Sequence, residues 1–229
     1  MEKHYYKMQK KLKVQISKYN ILVILDIFIE KGLIKNIEHI YLFIYGINHC
    51  LINNNIENDF VDCYSSFESY IRTKFPACNN YSIPYFLSLI DSNSIEFFKS
   101  LYSDFLSENE NIKYDFINDN VLEKRFNNED FYIKHLITLL DRASFFDINT
   151  FDDFFIYLQG YFYVSKEDHV YFILSEFMSK YKSEKFKENQ YIRMACSNSI
   201  ISFKNMFMPF LEDKFKVPPA PARIPSREK

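Results

Sequence analysis

Residues 39–46 read His39-Ile-Tyr-Leu-Phe-Ile-Tyr-Gly46, and residues 153–160 read Asp153-Phe-Phe-Ile-Tyr-Leu-Gln-Gly160. Both are aromatic, apolar segments ending in glycine, and the 229-residue chain has only three glycines in all. An amphipathic stretch follows each segment and closes on Lys-aromatic, at Lys74-Phe75 and Lys180-Tyr181. A phenylalanine-rich segment comes next, Phe98 to Leu106 in one copy and Phe203 to Leu211 in the other. The three blocks keep their order at offsets of 114, 106 and 105 residues. The pattern reads as one helical module written twice. A glycine inside a helix costs about 1 kcal/mol relative to alanine, so its recurrence predicts either a close approach of two helices or a bend.

The rest of the chain agrees with an all-α fold. Phe60, Tyr64, Phe67, Ile71 and Phe75 recur at helical spacing, as do Val170, Ile173, Phe177 and Tyr181. The closing segments repeat it with Ile95, Phe98, Leu101 and Phe105 against Ile200, Phe203, Phe207 and Phe210. Period-two alternation is not sustained anywhere. Ile21, Leu22, Ile24, Leu25 and Phe28 form a buried stripe, with Gly32 as its helix stop and Asn36 as cap of the next helix. The expected organisation is an N-terminal helical segment (1–36), a first module (37–107), an acidic helical connector (108–150), a second module (151–216) and an extended tail (217–229). Pro218, Pro219, Pro221 and Pro225 keep that tail out of a helix.

Composition excludes several classes. Twenty-eight basic against thirty acidic residues leave a net charge of −2, which is not that of a general nucleic-acid binder. Cys50, Cys63, Cys78 and Cys196 form no Cys-x-x-Cys pair, and reduced thiols in the cytoplasm are expected. The most apolar run, Ile21 to Ile29, is too short to span a bilayer and carries Asp26. His39 and His49 can share a helix face, but at roughly 15 Å apart one metal cannot bridge them. Asp152-Asp153 and Glu167-Asp168 fall where helices should begin and read as caps. No metal, cofactor or catalytic motif is expected.

Charge is unevenly spread. Residues 1–18 hold six lysines and one glutamate, net +5, and residues 214–229 hold five basic residues and one glutamate, net +4. Residues 104–153 hold twelve acidic and five basic residues, net −7. Acids on a solvated face or near helix N-termini would account for this segment. A negative patch that steers and meets a basic partner is the sharper reading. Its candidate contacts are Glu108, Glu110, Asp115, Asp119, Glu129 and Asp130, with Tyr114 as an aromatic anchor.

The order Phe155-Ile-Tyr-Leu-Gln-Gly160-Tyr161, then Phe177-Met-Ser-Lys-Tyr181, then Phe203 to Leu211 resembles a pattern in small helical bacterial proteins. Those proteins belong to polymorphic-toxin and contact-dependent-inhibition loci, where many act as immunity proteins. The resemblance spans residues 150–211 and extends more weakly to 37–107. It implies a cytoplasmic, non-catalytic protein that neutralises a cognate toxin domain, plausibly a nuclease, by occluding its active site. A regulatory scaffold using the termini, or a nucleic-acid-binding regulator using the terminal lysines, are the alternatives.

Overall fold

The computed structural model describes residues 21–53, 59–109, 129–165, 173–174, 176–177, 179–180 and 188–215. The chain is all-α. In order come α1 (Ile21–Glu30), α2 (Ile37–Asn53), α3 (Asp59–Lys74), α4 (Ile83–Ile90) and α5 (Ser94–Glu108). Then follow α6 (Glu129–Asp141), α7 (Phe151–Ser165), α8 (Glu188–Ala195) and α9 (Ile200–Phe215). Single 3-10 turns lie at Pro76–Asn80 and Ala143–Phe146. Among the described residues the only β pairing is an isolated antiparallel bridge, Thr150 to Ser199.

Two compact units divide the chain. The first comprises residues 1–127 with 153–168, and the second 128–152 with 169–229. Helix α7 is therefore shared: Phe151 and Asp152 belong to the second unit, and Asp153 onward to the first. The segment carrying Gly160 thus packs with the helices of residues 21–109.

In the first unit, Phe67 of α3 is fully buried and ringed by Phe98, Tyr102 and Phe105 of α5, at centroid distances of 5.4, 4.8 and 5.4 Å. Tyr41 of α2 closes the cluster against Phe98 at 5.7 Å and Tyr64 at 6.1 Å. The second unit holds a ring cluster around Phe177, with Phe203, Phe207 and Phe210 of α9 at 5.8, 4.9 and 5.4 Å. Phe151 joins there against Phe203 at 4.8 Å. The helical stripes thus become two aromatic cores. Each buried ring contributes roughly 2–3 kcal/mol by its removal from water, and edge-to-face contacts add to that.

The helix ends follow local chemistry. Gly32 has φ +67°, its N–H bonds to the Ile29 carbonyl and the Leu33 N–H to that of Phe28, so α1 ends in a Schellman closure. Asn36 caps α2 by accepting the His39 N–H at 2.8 Å. In a chain so short of glycine, other residues take left-handed positions. Asp147 (φ 56°) closes the turn after Phe146, and Ser197 and Asn198 (φ 52° and 56°) close α8. Asn198 then ties two helix starts together. Its carbonyl accepts from Phe151 N at 3.1 Å, and its side-chain oxygen accepts from Asp152 N at 3.1 Å.

Gly46 and Gly160 decide how α2 and α7 meet. A Cβ on Gly46 would collide with the Tyr157 carbonyl oxygen and lie 2.7 Å from the Tyr161 nitrogen. A Cβ on Gly160 would collide with the Phe43 carbonyl oxygen and lie 2.8 Å from its carbon. The exchange is reciprocal, since each glycine meets the residue three positions before the other. Of the two expected explanations for the repeated glycine, close approach is the one observed. The atoms in the way are backbone, so they cannot swing aside. Gly46→Ala and Gly160→Ala should each destabilise the chain by about 2 kcal/mol or more, as overpacking does. Helix propensity alone predicts the opposite sign, a gain of about 1 kcal/mol. Urea unfolding followed by circular dichroism distinguishes the two outcomes.

Candidate functional site

The residues expected to meet a partner are placed unevenly. Glu110, Tyr114, Asp115 and Asp119 lie outside the described residues. Glu129 and Asp130 are the first two residues of α6, and their side chains lie outside the description. Glu108 is described in full. It is exposed at the end of α5 and accepts a hydrogen bond from the Tyr70 hydroxyl at 3.0 Å.

That contact belongs to a short surface network. Lys74 donates to the Tyr70 oxygen at 2.7 Å, lies 5.0 Å from the centre of its ring and pairs with Asp104 at 3.5 Å. The Tyr70 hydrogen bond, with the nearby Asp104 carboxylate, raises the Lys74 pKa above its ordinary value. The network fastens α3 to α5 at their exposed edge, and exposed pairs of this type contribute little to stability. It does hold Glu108 and Asp104 in fixed positions facing water. Elsewhere in the first unit Glu30, Glu38, Asp62 and Glu96 are also exposed, and the exposed cations are Lys31, Lys35 and Lys74. Six carboxylates against three lysines leave this described surface acidic.

The polar groups at the helix crossing were not expected from sequence. His49 Nδ1 lies 2.7 Å from the Tyr157 hydroxyl. Burial pushes the Tyr157 phenol up and the His49 imidazole down, so both are neutral near pH 7 and share a hydrogen bond whose direction the imidazole tautomer sets. His39 Nε2 lies 3.7 Å from Asp153, and its Nδ1 accepts from Lys35 N at 3.3 Å. Asp152 pairs with Arg193 at 3.1 Å. The two neighbouring aspartates therefore sit in the first turn of α7 and also carry long-range partners. The sequence signal was present only as spacing: His39 and Asp153 occupy matching places in the two glycine-bearing segments.

All four cysteines are buried thiols. Burial raises the thiols of Cys50, Cys78 and Cys196, which keeps them protonated and poorly nucleophilic. Cys63 Sγ rests 3.6 Å from the Tyr102 hydroxyl. Among the described residues no three His, Cys, Asp or Glu side chains come together as a metal-sized group. No described helix is long and apolar enough to cross a membrane.

The chain matches no family model, curated protein or solved structure.

One apolar feature escaped the sequence reading. Tyr81, Tyr85, Leu89 and Ile90 are exposed on and beside α4. The available signal was the absence of any charged residue between Lys74 and Asp91.

The buried histidine makes a pH prediction. A histidine whose folded pKa is depressed binds its proton more readily when unfolded, so stability is full at neutral pH. It is lost as pH falls below about 6.5 toward the folded value. Unfolding free energies measured between pH 7.5 and 5 should fall more steeply in the native chain than in His49→Gln. Parallel curves would contradict the neutral His49–Tyr157 pair.

Proposed function

We propose that the protein is a non-catalytic immunity-type inhibitor, which binds a cognate bacterial toxin domain and blocks its active site. The reading is supported by the acidic excess among the described exposed residues of the first unit, where Glu108 and Asp104 contact Tyr70 and Lys74. The net −7 of residues 104–153 extends that charge along the sequence.

A toxin that cleaves or binds phosphate esters carries a cationic cleft, and fixed carboxylates are the complementary chemistry. Complementary charge accelerates encounter, and carboxylates seated in the cleft deny it to substrate without any reaction. Glu108, Glu110, Asp115, Asp119, Glu129 and Asp130 are the proposed contacts, with Tyr114 as the anchoring aromatic. The resemblance of the Gly160, Lys180 and Phe203 blocks to immunity proteins supports the same assignment, and a cytoplasmic location goes with it.

The test is binding to the toxin domain encoded beside this chain. Replacing Glu108, Glu110, Asp115 and Asp119 with lysine should weaken affinity at least about 100-fold, or roughly 2.7 kcal/mol, mainly through slower association at low salt. Unchanged affinity and unchanged salt dependence would remove the proposed mechanism.

A further inference from the structure

Counted from each glycine, α2 and α7 meet through matching positions. A Cβ on Gly46 would reach Tyr157, three residues before Gly160, and a Cβ on Gly160 would reach Phe43, three residues before Gly46. The side chains repeat the exchange. His49 stands three residues after its glycine and contacts the Tyr157 hydroxyl at 2.7 Å. Tyr163 stands three residues after the other glycine and packs on Phe43, with ring centroids 6.0 Å apart. Seven residues before each glycine, one position meets its own counterpart, with His39 Nε2 3.7 Å from the Asp153 carboxylate. Each of these two is also the third residue of its helix, since α2 begins at Ile37 and α7 at Phe151.

An interface in which residue i of one partner meets j of the other, while j meets i, is isologous. Two identical subunits adopt that form about a twofold axis. A crossing of unrelated helices gives no reason for each contact to be returned by its reciprocal. We propose that the α2–α7 contact is isologous, a homodimer-type interface carried within one chain, and that a helix of this pattern recognises a second helix of the same pattern. Glycine at the centre sets the separation. A ring three residues before it meets the aromatic group three residues after the other glycine.

The same axis accounts for the pair of unlike residues at 39 and 153. Their side chains are only 7 and 15% exposed. A buried position that meets its own counterpart would set like against like if both helices carried the same ionisable group. An imidazole opposite a carboxylate avoids that. Matching positions are therefore interchangeable, which an asymmetric contact does not allow. The pairing lies within the first unit and is separate from toxin binding.

Residue exchange in the full chain tests this equivalence. His39→Asp alone sets two carboxylates together and should lower the folding equilibrium constant at least about tenfold at pH 7. Asp153→His alone should lower it at least about threefold, because the opposite partner is lost. The exchanged variant, His39→Asp with Asp153→His, should return to within about threefold of the native chain. A second cycle uses the aromatic layer. Phe43→Tyr with Tyr163→His rebuilds, at the mirror place, the phenol–imidazole contact that Tyr157 makes with His49. That double variant should be at least about threefold more stable than the sum of its single losses. Urea unfolding followed by circular dichroism reads each constant. Where a single variant is too unstable to fold, a folded double variant supports the proposal and an unfolded one overturns it. Losses that simply add in either cycle would also overturn it.

Discussion

Two helix backbones can touch only where neither carries a side chain at the crossing, and the first unit depends on that constraint at Gly46 and Gly160. Their missing Cβ atoms let α2 and α7 approach until each glycine abuts the main chain of the other helix. Everything near the crossing follows from this separation. Tyr157 comes within hydrogen-bond reach of His49, Phe43 comes within 6.0 Å of Tyr163, and His39 faces Asp153 at the two N-terminal turns. A single methyl group at either glycine would separate all of these pairs. The conformational cost of an internal glycine is small beside the contacts it admits.

Around that crossing the chain relies on aromatic rings for its bulk. Phe67 and Phe177 each sit among three rings from a closing helix, and the two clusters have similar dimensions. Rings fill space with few rotatable bonds, so such cores lose less side-chain entropy than ones built from long flexible residues. Among the described residues, carboxylates fastened through Tyr70 and Lys74 stand on the exposed edge of the first cluster, and α4 leaves Tyr85 and Leu89 exposed.

Local and periodic signals were readable from the residues. The Gly32 stop, the Asn36 cap and the Phe98–Phe105 and Phe203–Phe210 stripes all depend on neighbours within a few positions, and the structure holds them. The close approach at Gly46 and Gly160 was readable because a costly residue recurred at matching places. Long-range placement was not. Nothing in residues 153–165 announces that they pack with residues 21–109, because apolar faces do not name their partners. Left-handed turns at Asp147, Ser197 and Asn198 were hidden because glycine, their usual marker, is absent there. The α4 segment had one signal, a run without charge from Phe75 to Ile90, and that run does not say which of its residues are covered. Of the residues assigned to partner binding, Glu108 gained a geometric account, and the charge pattern remains the basis for the others.

The most direct measurement is a nuclear Overhauser experiment on the chain labelled at glycine and tyrosine. The crossing places the Gly46 α-protons against the Tyr161 amide and the Gly160 α-protons against Phe43. Strong cross-peaks from Gly46 Hα to the Tyr161 amide are the expected result. Their absence in a sample whose helices are intact would mean that side chains separate the two backbones, and the account of this fold would fail.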